Sequence, residues 1–192
     1  MTLLEATLPT PIGELRIHAA TTNGAPAIVA VHLPGETTHG AATSARGDVI
    51  RPAPDDPLLR RACSQLTDYF EGRLTTFDLL LHAPGTPWQL QVWAALGGIP
   101  YGATRPYLDI ARDVGKPGGS RAVGQANGAN RIPIIVPCHR VIASGGKLGG
   151  YSGGLQAKQW LLEHERQVRA AGNAPATSAA TPARAARAPR PA

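Results

Sequence analysis

"SRAVGQANGANRIPIIVPCHRVI", residues 120–142, runs from small side chains through an apolar stretch to a lone cysteine held between proline and histidine. Its first half reads as a short helix after the "GKPGG" break, with Ser120 as N-cap. Ala122, Gly124, Ala126, Gly128 and Ala129 give that helix little apolar surface, and each glycine costs it about 1 kcal/mol. Small side chains let a backbone approach a neighbour closely, and both a tight helix contact and a DNA groove meet that description. In the second half, Ile132, Ile134, Ile135 and Val136 read as a short buried strand. Pro137 must end it, because proline brings no N–H to a ladder. Cys138 then sits where a strand stops, a position that suits a packed core cysteine as well as a nucleophile.

Working outward, "TPWQLQVWAALGGIP" predicts a helix with Trp88, Val92, Ala95 and Leu96 on one side, and a second helix follows over 106–114. The helices at 106–114 and from 120, separated by a Gly/Pro turn, form a helix-turn-helix pattern. Upstream, two β-rich stretches around 13–19 and 27–33 flank the turn signal Asn23-Gly24 and predict a hairpin. A polar loop over 34–57 leads to a helix in which Leu58, Leu59, Ala62, Leu66, Tyr69 and Phe70 recur at helical spacing until Gly72, with Cys63 taken as core. "TTFDLLL" is expected as another strand. The organisation is α+β: an N-terminal unit over 1–84, a helical unit over 85–170, and an Ala/Pro/Arg tail over 171–192 expected to be disordered.

The chain has 192 residues, 43% of them hydrophobic, enough for a sizeable core. Its net charge of +6 is uneven: residues 1–99 carry −3, 100–160 carry +6 and 161–192 carry +3. The excess lies around Cys138, as a nucleic-acid surface or a solvated basic face would have it. No apolar run spans a membrane, and the N-terminus lacks an export signal, so a cytoplasmic protein is expected. Cys63 and Cys138 match no disulfide or zinc spacing.

"GTPWQLQVW", "YLDIA", "SRAVGQANGAN", "IPIIVPCHRVI" and "GGYSGGLQAKQWLLEHE", in this order and spacing, closely resemble the O6-alkylguanine-DNA alkyltransferases, or methylated-DNA–protein-cysteine methyltransferases. The resemblance is strong over 86–166 and loose before it. It implies an N-terminal ribonuclease H-like α/β subdomain, followed by a winged-helix-like subdomain carrying the helix-turn-helix and the active-site cysteine. It also implies a monomer that acts on duplex DNA without metal or cofactor. Such proteins flip O6-alkylguanine out of the duplex and move its alkyl group irreversibly to their own cysteine; activity on O4-alkylthymine is left open.

Residue by residue, the resemblance makes Cys138 the nucleophile and alkyl acceptor. A free thiol, with a pKa of about 8.5, needs a partner to take its proton. His139 matches that partner, acting through a water, with a glutamate behind it. At about 100° per residue along the last helix, Glu165 falls between Leu161 and Leu162 on the apolar side, and Glu163 on the polar side. Glu165 is also the position that matches the family motif. Tyr107 matches the tyrosine serving guanine N3, Tyr151 and Ser152 the loop that closes on O6, and Val141 with the Cys138 carbonyl the readers of the exocyclic amine. Arg121 matches the arginine that fills the space left by the flipped base. Ser120, Ala122, Ala126 and Asn127 accompany it as DNA-facing residues, and Asn130 matches a hinge asparagine. Two residues depart from the pattern: Arg131 stands where many relatives have proline and is expected to add a phosphate contact, and Leu108 follows Tyr107. Two other readings compete, a non-catalytic alkyltransferase-like lesion binder, which typically lacks the cysteine, and a Cys-His hydrolase.

Overall fold

Three antiparallel strands open the chain: β1 (Thr2–Thr10), β2 (Gly13–Thr22) and β3 (Ala25–His32). The structure, a computed structural model, describes residues 1–35 and 47–172. Asn23 and Gly24 adopt φ of 51° and 78°, which a two-residue hairpin loop requires, and Thr22 pairs with Ala25 across it. The expected hairpin is therefore present. β1 was not anticipated: Leu4, Ala6 and Leu8 alternate onto the face that meets the first helix, but the segment is broken by polar residues and ends in Pro-Thr-Pro. A short strand, β4 (Val49–Pro52), adds to β1 in parallel, giving the order β3-β2-β1-β4. Residues 36–46 of the expected 34–57 loop and the tail beyond 172 lie outside the described residues, and β4 forms within the stretch expected as loop because its backbone pairs with β1.

Helix α1 (Pro57–Phe70) follows the predicted spacing. Asp56 caps it by accepting from the Leu58 and Leu59 N–H groups, and Leu59, Ala62, Leu66 and Tyr69 are buried against the sheet. Cys63 packs half-buried at the edge of this core. Residues 75–81, expected as a strand, form one bridge, from Leu81 to Ile28. The reason lies in a contact from another element: the Gln65 side chain of α1 bonds both the N–H and the carbonyl of Asp78, the groups a neighbouring strand would use.

The second half comprises α2 (Pro87–Gly97), β5 (Arg105–Pro106), α3 (Tyr107–Asp113), α4 (Ser120–Gly128), β6 (Val141–Ile142) and α5 (Gly154–Ala170). α2 starts with a capping box between Thr86 and Gln89. α4 is capped by Gly119, and Ser120 is its first residue with no side-chain capping bond; the preceding turn draws the Gly119 N–H onto the Lys116 carbonyl and starts the helix one residue early. Val92, Leu96, Ile110, Val123, Cys138 and Val141 form the core of this half.

Residues 132–136 are a buried turn rather than the expected strand, with Pro133 bridged to Val136. Ile134 takes φ 73° while fully buried, a strained conformation for a β-branched residue that only surrounding packing can hold. Ile132, Ile134, Tyr101 and Leu161 pack into the sheet–α1 core, and the Val31 N–H bonds the Arg131 carbonyl at 2.8 Å. Residues 1–84 and 85–170 thus share a core across the expected boundary. Among the described residues, no helix is long and apolar enough to cross a membrane.

Candidate active site

Cys138 begins a single 3₁₀ turn, Cys138–Arg140, which Pro137 starts and Val141 ends by donating its N–H to the Cys138 carbonyl. The residue is only 2% exposed, yet it lines a cavity of about 510 Å³ together with Tyr107, Arg121, Asn127, Tyr151 and Ser152. That volume falls in the range of small-ligand sites. With Ser120, which also lines it, six residues expected at the site therefore meet around the cysteine. The parallel pairing of Arg105 with Val141 and Pro106 with Ile142 places Tyr107, the next residue, beside it. Tyr107 also explains Gly149, whose φ is 68° and whose Cβ, were there one, would lie 3.1 Å from the tyrosine ring.

Burial pushes the Cys138 thiol up to about 11. The Asn130 side chain, the Lys158 charge and the Cys138 and His139 backbone N–H groups all act the other way but do not overcome it. The thiol therefore holds its proton near neutrality and needs a base. His139 is fully buried, and its Nε2 lies 2.8 Å from Glu165 Oε1. Burial lowers its pKa, opposed by the hydrogen bond and charge of Glu165, so the ring is neutral at pH 7. For Glu165, burial favours the protonated acid, but the hydrogen bonds and charges of His139 and Arg140 outweigh it and keep the group well below the usual carboxylate range. An ionised carboxylate only accepts, so Nε2 carries the ring proton. Nδ1 is then the basic atom, and it has no hydrogen-bond partner among the described residues.

Glu165 collects more donors than the sequence indicated. Arg140 donates from Nε to Oε2 at 2.9 Å and from Nη2 to Oε1 at 2.9 Å, Tyr69 Oη donates to Oε1 at 2.7 Å, and the Gly102 N–H donates to Oε2 at 2.8 Å. Arg140 also bonds the Ile99 carbonyl at 2.7 Å. Lys158, fully buried, donates to the Val141 carbonyl at 2.7 Å and to Gly150 at 3.4 Å; burial lowers it to about 8, partly offset by Cys138. Tyr69, Arg140 and Lys158 were missed as site residues. Arg140 stands in the quoted motif and carried that signal, whereas Tyr69 and Lys158 read as ordinary helix positions.

Asn130 closes the turn that follows α4: its Nδ2 donates to the Val136 carbonyl at 2.8 Å and its Oδ1 accepts from the Ile132 N–H at 3.1 Å. The residues expected to face DNA differ in exposure. Ala126 is buried, and Asn127, 4% exposed, turns inward to donate to the Cys138 carbonyl at 3.3 Å. Ala126 belongs to the face packed against α2, where Trp93 Nε1 bonds the Ala126 carbonyl at 2.8 Å and Trp88 Nε1 the Ala122 carbonyl at 3.3 Å, whereas Asn127 lines the cavity beside Cys138. Ala122 and Ala126 thus serve a tight helix contact, Gly124 and Gly128 line the cavity, Arg121 and Gln125 are exposed, and Ser120 is half-exposed. Arg131 is half-buried. The Cys138 carbonyl already accepts from Asn127 and Val141, which uses both its lone pairs, and the Val141 carbonyl accepts from Lys158.

A family model described as 6-O-methylguanine DNA methyltransferase, DNA binding domain, matches residues 87–167. The chain is 55% identical over 113 residues to the methylated-DNA–protein-cysteine methyltransferase of Mycobacterium tuberculosis, covering 59% of this chain and 68% of that protein. It is 56% identical over 108 residues to the protein of the same name from Methanosarcina barkeri, covering 56% and 68%. Among solved structures, Mycobacterium tuberculosis OGT in complex with DNA superposes with a TM-score of 0.73 at 41% identity, over 88% of this chain and 94% of that one.

Proposed function

The chain belongs to the methylated-DNA–protein-cysteine methyltransferase family, and from that premise we propose that it flips O6-alkylguanine out of duplex DNA and takes the alkyl group onto Cys138 in a single irreversible turnover. The observation that carries the reading is one juxtaposition: a buried thiol on the wall of the 510 Å³ cavity, with the buried His139–Glu165 pair next to it in the fold. As the sulfur attacks, the alkyl carbon–O6 bond breaks and its electron pair goes to the guanine, while a carbon–sulfur bond forms. The thiol proton passes to His139 Nδ1. No hydrogen bond joins the two side chains directly, so a water carries it. Glu165 stabilises the imidazolium that results. Tyr107 donates to the departing guanine at N3, the Val141 carbonyl reads the exocyclic amine, and Tyr151 with Ser152 closes on O6.

The finer architecture fits this use. The sheet and α1 form the ribonuclease H-like support, and residues 85–170 the winged-helix-like part, with α3 and α4 as its helix-turn-helix. Arg121, exposed at the first turn of α4, enters the stack where the base has left it. The presence of Cys138 disfavours the lesion-binder reading, and a thioether with no route back to thiol separates this reaction from a turning-over hydrolase.

One incubation tests the reading. With duplex DNA carrying labelled O6-methylguanine, label is expected on the protein, at about one methyl per chain. Label that stays on DNA, or leaves as a small product over many turnovers, would refute it. In the same assay Arg121→Ala should slow the duplex reaction by roughly tenfold or more, because extruding a base costs a few kcal/mol. It should barely affect a free O6-benzylguanine base, which needs no flipping.

The pH profile should follow from the signs above. His139, held below the ordinary value of about 6.5, stays proton-free at neutrality and is protonated only in more acid solution. Single-turnover transfer should therefore be flat through pH 7–8 and fall only in solution more acid than the ordinary histidine value. If the rate instead climbed about tenfold per pH unit from 6 to 9, the thiol with its pKa near 11 would be ionising unaided, and the base assignment would be wrong.

A further inference from the structure

Tyr69 lies on α1, 96 residues from Glu165 in the chain, and the mechanism above makes no use of it. Its ring is fully buried among Phe70, Phe77, Tyr101 and His164, with centroids 5.4 to 5.8 Å away. Packing alone would be served by phenylalanine, yet the hydroxyl reaches across the shared core to Glu165 Oε1 at 2.7 Å. His139 Nε2 bonds that same oxygen at 2.8 Å. The neighbouring hydroxyl of Tyr101 offers the contrast, being buried with no hydrogen-bond partner among the described residues.

We propose that Tyr69 is a positioning residue for alkyl transfer: its hydroxyl fixes the Glu165 carboxylate and takes a share of the charge on Oε1, and so sets where His139 sits and how strongly it holds a proton. The inference rests on the reading of His139 and Glu165 given above. A carboxylate oxygen shared among several donors gives less of its charge to each. With Tyr69, Arg140 and Gly102 all drawing on Glu165, His139 is oriented without being made so basic that Nδ1 stays protonated at neutral pH. Burial of the ring acts in the same direction. The other ionisable groups around the pair are Arg140 from the 3₁₀ turn, Lys158 from α5 and Tyr101 from the loop after α2, with His164 of α5 against the Tyr69 ring and its carbonyl. None of these replaces the Tyr69 hydroxyl at Oε1 once it is removed. The N-terminal layer would then take part in the chemistry through one buried hydrogen bond.

The test is the single-turnover pH profile of Tyr69→Phe in the full chain, using labelled O6-methylguanine duplex at saturating protein, beside Tyr101→Phe and His139→Gln. Tyr69→Phe keeps the ring and deletes the bond. Its acid limb should move up by about one pH unit, the lower end of the scale for losing one hydrogen bond to a charged group. Transfer at a fixed pH on the acid limb should then drop about tenfold, the size of a one-unit shift, while duplex affinity is kept. Tyr101→Phe, the same deletion in the same cluster, should superimpose on the parent. A Tyr69→Phe profile that superimposes on the parent, while His139→Gln is slow, would overturn this inference alone. Full-speed transfer by His139→Gln would overturn the underlying base assignment as well. An equal shift in Tyr101→Phe would show a packing effect and also refute the proposal.

Discussion

Cys138→Ala is expected to leave a folded chain that binds duplex DNA and accepts no alkyl group at all. The loss is total because a methyl side chain has no lone pair to attack with, and the other thiol cannot substitute. Cys63 sits on α1 at the edge of the sheet core, outside the residues lining the cavity, and burial raises its pKa. Cys63→Ala should therefore transfer at the parental rate. The fold should survive Cys138→Ala, since replacing the sulfur by hydrogen in the α2–α4 core removes one buried heavy atom, worth about 1 kcal/mol. Intact-protein mass spectrometry after incubation with lesion DNA reads the outcome directly. One added methyl on the parent and on Cys63→Ala, and none on Cys138→Ala, is the expected pattern; a methyl on Cys138→Ala would move the acceptor elsewhere.

Glu165→Gln should damage stability and transfer together, by more than its near-identical shape suggests. Four groups donate to the two carboxylate oxygens: His139 Nε2, Tyr69 Oη, the Gly102 N–H and the Arg140 guanidinium. A carboxamide offers one oxygen, and its NH₂ must face at least one of those donors. Arg140, 6% exposed, would also keep its charge with its partner neutralised. Breaking a buried pair from one side costs roughly 3–5 kcal/mol, and the denaturant midpoint should fall accordingly. Where the variant is still folded, His139 lacks the charge that stabilises its protonated form. Transfer should slow by about 10² or more, the usual contribution of a positioned acid–base group. Parental speed in folded Glu165→Gln would remove Glu165 from the mechanism. The pair's pH behaviour has a definite sign. The folded pKa of Glu165 is depressed, so its stabilisation is present above the ordinary carboxylate value of about 4.3 and is lost only as pH falls through the lower folded value.

Local signals carried far in this chain. Helical spacing from Leu58 to Phe70 and the Asn23-Gly24 turn are contacts between near neighbours, and both formed as read. The inward direction of Glu165 was legible for the same reason, since one turn of helix separates it from Leu161 and Leu162. Where distant parts decide, the reading failed. The β-branched run at 132–136 has strand propensity, but the Asn130 side chain closes it into a turn and packing forces Ile134 to positive φ. "TTFDLLL" lost its ladder to the side chain of Gln65 on α1. Small side chains on α4 were compatible with two contacts, and only the placement of Trp88 and Trp93 showed that one face is spent on α2.

The cysteine, its flanking proline, histidine and arginine, and the order of the helices around them were determined by the sequence alone, because each rests on residue identity and short spacing. The network that governs the cysteine was decided by the tertiary structure. Tyr69, Gly102, Arg140 and Glu165 come from four separate segments, up to 96 residues apart, and no periodicity along a chain records which buried donor will meet which buried acceptor. That pairing is set when the two halves close over one core, where an unpaired polar group is costly and each one present must find its partner.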